Sequence, residues 1–103
     1  MEPKKFNDLK TEQVERAADM MKAIAHPLRL SILGYLSDGG KSYTVTEIHE
    51  LLHIEQSTAS HHLGLLKDKG VLVSRRDGKN TIYSLKSENI VDLMDCIANC
   101  ACI

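Results

Sequence analysis

The chain opens on a helical repeat of apolar positions. Over residues 9–25, apolar residues recur at intervals of three and four, which predicts an amphipathic helix with one buried stripe. His26 and Pro27 end this helix, because a residue that precedes proline is driven out of the helical region. Pro27 also suits the first turn of a second helix, which is predicted to stop at Gly39-Gly40.

Two further helices with a short break between them are predicted in the middle of the chain. The first covers 44–53, with Thr44 or Thr46 available as its N-cap. The second covers about 57–69 and ends at Gly70, a C-terminal glycine cap. Because the break is only about three residues long, the two helices together resemble a helix-turn-helix.

The repeat of apolar positions then shortens to two residues. Runs rich in β-branched and aromatic residues, at 71–75 and 81–85, flank Asp77-Gly78-Lys79-Asn80, which is a strong hairpin signal. Ser87 then caps a last helix that begins at about Glu88. The predicted fold is mainly α, of the α+β class, in the order α-α-α-α-β-β-α. This is a winged helix-turn-helix with a two-stranded wing, one domain over 9–103 after an N-terminal tail at 1–8.

Composition is that of an ordinary globular domain, with 103 residues of which 43% are apolar and 26% charged. No apolar run approaches the roughly 18 residues of a spanning helix, and no signal-like apolar segment follows Met1, so we expect a cytoplasmic protein without membrane contact. A chain this short buries its apolar stripes poorly alone, which favours a homodimer. The sequence shows no nucleophile–base pair, phosphate loop or paired acids, so we expect no enzymatic activity.

Charge is distributed unevenly although the net charge is only −1. Residues 56–86 carry six basic and two acidic side chains, whereas residues 1–55 carry seven and nine, and residues 87–103 carry none and three. A positive stretch therefore lies between two acidic ones. This is where a polyanionic partner, double-stranded DNA, is predicted to bind.

The second helix of the helix-turn-helix presents an unusual outward face. Ala59, Leu63 and Leu66 cluster on one side, which predicts the buried stripe. The remaining positions carry small polar residues, Gln and His, where a merely solvated helix usually carries more Lys and Glu. Such side chains bond base edges and phosphates, so the helix is predicted to lie in a major groove. Its candidate contacts are Gln56, Ser57, Thr58, Ser60, His61 and Lys67.

The predicted wing strengthens this interpretation. Arg75, Arg76 and Lys79 surround the hairpin tip, where they can neutralise phosphates or enter a minor groove. A solvated surface is the alternative for the helix face alone, and the basic hairpin beside it favours DNA. His62 falls between the buried and outward sides and is interpreted as mainly structural.

Three motifs in the correct order resemble the ArsR/SmtB family of metal-sensing winged-helix repressors. The run HPLRLSIL from His26 resembles the family's second-helix signature, QSTASHHLGLLK from Gln56 resembles its recognition helix, and 70–85 resembles its wing. The resemblance implies a homodimer paired through the first and last helices, which represses a two-fold symmetric operator until an inducer binds. Two of the family's metal sites are absent. Thr44-Val45-Thr46 stands where arsenite sensors often carry Cys-Val-Cys. The zinc site that other members form at the last helix needs histidines there, and no His follows His62.

The cysteines provide a different candidate inducer site. Cys96, Cys100 and Cys102 all fall within the last eight residues, with the first two one helical turn apart and the third able to join them if the helix end frays. Three thiolates suit a thiophilic ion such as arsenite, antimonite, Cd, Zn or Cu(I). The alternatives are a thiol redox-sensing repressor, cysteines that only pack at the dimer seam, or a thiol or protein-interaction module that does not bind DNA. His49 and His53, four residues apart, are a weaker chelate candidate and are interpreted as a solvated helix face.

Overall fold

The computed structural model describes residues 5–102. Within them, five α-helices and one antiparallel sheet of three strands are present. All the predicted elements occur in the predicted order, and one of the three strands was not predicted. The winged helix-turn-helix prediction is confirmed. The helices are α1 Thr11–Ile24, α2 Pro27–Ser37, α3 Val45–Leu52, α4 Gln56–Asp68 and α5 Glu88–Ala101; the strands are β1 Tyr43–Thr44, β2 Leu72–Asp77 and β3 Asn80–Leu85; short 3-10 turns cover Phe6–Asp8 and Asp38–Gly40.

The N-terminal tail predicted for 1–8 is only partly described. Residues 1–4 lie outside the described part, and Phe6–Asp8 forms a 3-10 turn ahead of α1.

The prediction of a two-stranded sheet was incomplete, because β1 joins the two predicted strands as a third. The strand order is β1-β3-β2, and Tyr43 and Thr44 lie opposite Tyr83 and Ile82 of β3. A strand of two residues is too short to show a two-residue repeat, so the apolar pattern did not predict it. This strand attaches the start of the helix-turn-helix to the inner strand of the wing.

The core is built around α2, which packs against α1, α3, α4, α5 and β3. Its residues Ile32, Leu33 and Leu36 are completely buried. Each neighbouring element contributes at least one buried apolar residue to the same cluster. These are Ala23, Ile24, Ile48, Ala59, Leu63, Leu66, Val71, Leu72, Tyr83 and Ile90.

Local hydrogen bonds fix the boundaries of the helix-turn-helix. Thr44 Oγ1 accepts from the Glu47 amide at 3.1 Å while Glu47 accepts from the Thr44 amide at 2.9 Å, a capping box that begins α3. His53 ends α3 in the left-handed region at φ 54°. At the end of α4, Gly70 has a φ of 79° and its amide donates to the Lys67 carbonyl. The Val71 amide donates to the Leu66 carbonyl at 2.9 Å. This Schellman arrangement turns the chain directly into β2.

The wing turns over two residues. Asp77 pairs with Asn80, and Gly78 between them has a positive φ of 63°, which places glycine where a type II′ hairpin needs it. At the far end of β3, the Ser87 side chain accepts from the Asn89 amide at 3.1 Å and begins α5, as its sequence position predicted.

Candidate nucleic-acid interface

Helix α4 turns its predicted contact residues toward solvent. Ala59, Leu63 and Leu66 are completely buried, which fixes the opposite side of the helix outward. Five of the six candidate contacts on α4 are exposed and Thr58 is half-buried. A Cβ built on Gly64 would meet no atom within 4 Å, so the middle of this face is open to close approach. The exposed candidates are Gln56, Ser57, Ser60, His61 and Lys67.

The basic residues of the wing are exposed but do not all face one way. Arg75 and Arg76 are consecutive in β2, and consecutive strand residues point to opposite faces of a sheet. Arg76 donates from Nη1 to Oγ1 of Thr81 at 3.3 Å, across the strand pair. Lys79 lies in the two-residue turn at the tip. The wing therefore presents positive charge on both faces and at its end.

Lys67 of α4 and the three basic side chains of the wing have no carboxylate partner within residues 5–102. The salt bridges in this part of the chain are Lys41–Asp38 at 3.5 Å and Lys69–Asp19 at 2.8 Å. Lys67, Arg75, Arg76 and Lys79 are in neither of them. Their charge is available to neutralise the phosphates of a bound duplex.

A polar contact that the sequence did not predict joins α4 to α2. His62 is 9% exposed, and its Nδ1 accepts a hydrogen bond of 3.0 Å from Nε of Arg29. Arg29 also donates from Nη1 to the Ala23 carbonyl of α1 at 3.1 Å. The ring of His26, which caps α2 by accepting from the Leu28 amide, lies 5.0 Å from the His62 ring. The helical repeat placed His62 between the buried and outward sides of α4, but it did not predict the hydrogen bond with Arg29.

Burial and nearby positive charge lower the pKa of His62. Desolvation has the largest effect, followed by the charges of Arg29, His26 and His61. The neutral ring is therefore the favoured form near neutral pH. This form is also the one whose Nδ1 can accept from Arg29.

The three cysteines are exposed thiols at the end of α5. Cys96 and Cys100 lie within the helix, and Cys102 is its C-cap. Among residues 5–102, no three His, Cys, Asp or Glu side chains are grouped so that they could hold a metal ion. The donor set suits a soft ion, but a site that uses all three sulfurs requires the helix end to rearrange.

His49 and His53 do not share a helix face. Nδ1 of His49 lies 3.1 Å from the Ile54 carbonyl, at hydrogen-bonding distance within the turn between α3 and α4. His53 has left the helix in the left-handed conformation. The one-turn spacing on which the chelate interpretation depended is therefore broken at its second residue.

Apolar side chains are left uncovered on the first and last helices. Val14 and Met21 of α1 are 36% and 50% exposed. On α5, Leu93, Met94 and Ile97 are only half-buried.

In the described part of the chain, no helix combines the length and the apolar character needed to cross a bilayer.

Comparisons with known sequences agree with this geometry. A family profile described as a helix-turn-helix domain matches residues 24–75. The HTH-type transcriptional regulator YgaV of Escherichia coli is 34% identical over 88 residues, which cover 85% of this chain and 88% of YgaV. NmtR of Mycobacterium tuberculosis, also an HTH-type transcriptional regulator, is 34% identical over 87 residues, 84% of this chain and 71% of NmtR.

Solved structures show the same architecture. The homodimeric winged helix-turn-helix DNA-binding domain of a Mycobacterium bovis protein, described as a possible ArsR-family transcriptional regulator, superposes with a TM-score of 0.81 at 28% identity. The match covers 98% of this chain and 90% of that domain. The transcriptional repressor PagR of Bacillus anthracis gives a TM-score of 0.76 at 32% identity, over 85% of this chain and 99% of PagR.

Proposed function

This chain belongs to the ArsR-type family of winged helix-turn-helix transcriptional regulators, and on that premise we propose that it is a homodimeric repressor whose C-terminal cysteines bind the inducer. The observation that carries the proposal is the open polar face of α4 beside a wing whose basic side chains lack carboxylate partners within residues 5–102. The proposed role is regulatory and cytoplasmic, without catalysis.

In the proposed complex, α4 reads base edges and the wing holds the backbone. Ser57, Ser60 and His61 carry short donors and acceptors on the open face, where they suit base edges or nearby phosphates. Arg75, Arg76 and Lys79 are suited to phosphates and to a minor groove. This division assigns sequence preference to the helix and general affinity to the wing.

Dimerisation is supported by the uncovered apolar residues of α1 and α5. These helices lie at the two ends of the described chain, and their exposed or half-buried residues would be covered by a second copy. The Mycobacterium bovis neighbour is a homodimer. A two-fold dimer places two α4 helices in successive major grooves, about 34–36 Å apart, so its operator is palindromic. PagR, named as a repressor, supports the same direction of control.

The cysteines are proposed to bind a thiophilic ion such as arsenite. Cys96 and Cys100 are one turn apart, so their Cβ atoms lie about 5–6 Å from each other and the sulfurs can lean together. Cys102 joins them only if the last turn of α5 unwinds. Because α5 is proposed to lie in the dimer seam, this change would alter the spacing of the two α4 helices. A coupling of about 1–3 kcal/mol lowers operator affinity roughly 5–150-fold.

A three-cysteine variant tests the inducer site. The variant C96S/C100S/C102S should bind a duplex selected from a randomised pool as tightly as wild type does, and arsenite should release only the wild type. Mg²⁺, a hard ion that prefers oxygen ligands, is the matched control and should release neither protein. A variant that still responds to arsenite places the site elsewhere.

Mild oxidation of the wild type distinguishes the redox alternative. The thiols are exposed, and one helical turn separates Cys96 from Cys100. If oxidation releases DNA while antimonite, arsenite, Cd, Zn and Cu(I) all fail to do so, the cysteines sense redox state and the ion proposal is wrong.

A further inference from the structure

The contact between Arg29 and His62 is a polar junction of three helices. Nε of Arg29 donates to Nδ1 of His62 on α4 at 3.0 Å, and Nη1 of the same guanidinium donates to the Ala23 carbonyl of α1 at 3.1 Å. The junction is partly buried, and no buried side-chain nitrogen or oxygen within residues 5–102 lacks a hydrogen-bond partner. One side chain of α2 thus ties α4 to the end of α1.

This junction adds a directional restraint to the apolar packing of α4. The buried residues Ala59, Leu63 and Leu66 hold α4 on the core, but apolar burial is not directional. A hydrogen bond depends steeply on angle and distance, so it opposes rotation of the helix about its axis. With side chains about 5–6 Å from the axis, a rotation of about 10° moves their ends about 1 Å. Such a shift takes a hydrogen bond of about 2.9 Å beyond its useful range.

We infer that Arg29 and His62 are positioning residues that set the rotation of the recognition helix α4, and that only the neutral ring of His62 does so, which makes operator binding weaken as the pH falls. The inference rests on the proposed DNA-binding function. It gives Arg29, which lies on α2 and not on the recognition helix, an indirect role in sequence recognition.

Protonation of His62 removes the bond and adds repulsion. The protonated ring carries hydrogen on both nitrogens, so Nδ1 no longer accepts, and it places a positive charge 3.0 Å from Nε of Arg29. The other charges that act on His62 come from His26, at the start of α2, and from His61, on α4. The α1 group at the junction is the neutral Ala23 carbonyl. The Asp19–Lys69 ion pair also joins α1 to the end of α4. Desolvation by burial, which is the largest cause, and these positive charges all oppose protonation, so the pKa of His62 is lowered.

Two substitutions at position 62 separate acceptor chemistry from titration. His62→Asn keeps a neutral acceptor at the position of Nδ1 and cannot be protonated in this range, whereas His62→Leu removes the acceptor. The matched control is His53→Asn, which removes an exposed histidine whose left-handed conformation asparagine tolerates. Arg29→Lys keeps the charge but loses the Nε donor.

The measurement is affinity for a duplex selected from a randomised pool at about pH 7.5, repeated at about pH 5.5. His62→Leu and Arg29→Lys should bind this duplex about two- to tenfold more weakly than wild type at the higher pH. Wild type and His53→Asn should lose about two- to tenfold more affinity on acidification than His62→Asn does. Circular dichroism of each variant checks that it is folded.

An identical pH profile for wild type and His62→Asn overturns the inference, and so does wild-type affinity in a folded His62→Leu protein. If the pool yields no bound duplex, the proposed function fails, and NMR tests the junction without DNA. The Arg29 Nε–H resonance should then move to its unbonded position as the His62 ring titrates below its ordinary pKa of about 6.5. A resonance that ignores this titration also overturns the inference.

Discussion

The Nζ atom of Lys69 lies 2.8 Å from Oδ2 of Asp19, so the residue after the recognition helix is paired with α1, 50 positions earlier. Lys67, two residues before it, is exposed and belongs to neither salt bridge of the described chain. The charge of Lys69 is therefore partly neutralised before DNA arrives, whereas that of Lys67 is not.

The two lysines should differ in the salt dependence of DNA binding. Lys67→Ala should reduce the slope of log affinity against log salt concentration by about one, because one DNA phosphate is no longer neutralised by the protein. Lys69→Ala should change it much less. Titrations of a selected duplex at several salt concentrations measure both slopes, and equal slopes would show that the Lys69–Asp19 pair opens on binding.

Substitutions on α4 and on the wing should affect binding in different ways. Ser60→Ala and His61→Ala should change the preference among sequences, by about 1–3 kcal/mol for each well-formed hydrogen-bonded pair with a base that the substitution removes. Arg76→Ala should weaken selected and random duplexes together, because phosphates carry no sequence information. Competition assays with both kinds of duplex measure the difference. If all three variants lose affinity equally on both duplexes, α4 does not read bases.

A charge on the apolar face of α1 should disrupt the dimer. Met21 is 50% exposed in the single chain, and burial of Met21→Glu against a second copy would cost desolvation of the carboxylate. Sedimentation at micromolar concentration should give a dimer for wild type and a monomer of 11.5 kDa for the variant. Val73→Glu is the control, since Val73 is 41% exposed but lies on the wing. A monomeric wild type would contradict the dimer directly.

The cap of α3 should contribute measurably to stability. Thr44→Ala removes the side-chain oxygen that accepts from the Glu47 amide, and loss of such a cap costs about 0.5–2 kcal/mol. Thr46→Ala, an exposed position inside the helix, makes the same chemical change without loss of a cap. Urea unfolding should show a lower free energy of unfolding for Thr44→Ala only.

Stability should decrease on mild acidification because of His62. Its pKa in the folded protein is lowered below the ordinary value of about 6.5, so the unfolded chain binds the proton more tightly. The stabilisation from the neutral ring is complete above about pH 6.5 and is lost as the pH falls from there through the lowered folded-state pKa. Urea unfolding across this range should show a smaller decrease for His62→Asn than for wild type. Parallel curves for the two proteins would contradict the assignment to His62.

Local patterns predicted the elements that local chemistry determines. Gly70 and Ser87 were identified as helix boundaries because capping depends on residues only a few positions apart. The outward face of α4 followed from the helical repeat in the same way. β1 was not predicted, because a strand of two residues is defined only by its pairing with β3.

Contacts between distant residues required the structure. Arg29 and His62 are 33 positions apart, and their meeting depends on how α2 crosses α4, which no repeat along one helix encodes. The left-handed conformation of His53 likewise broke an i, i+4 pair that a continuous helix over 44–53 would have formed. For the cysteines, packing at the dimer seam was only one of the alternatives, and the single chain leaves all three exposed.

The pairing of β1 with β3 has a mechanical consequence for the complex with DNA. Since β1 leads directly into α3 and pairs with β3, the base of the wing is hydrogen-bonded to the start of the helix-turn-helix. In the proposed complex, this pairing would limit movement of the wing relative to the helix-turn-helix, so the distance between the two proposed DNA contacts of one protomer would change little. In that complex, a duplex of unsuitable curvature or groove width would have to bend to fit, and the energy of that bend would add sequence selection at base pairs that the protein does not contact.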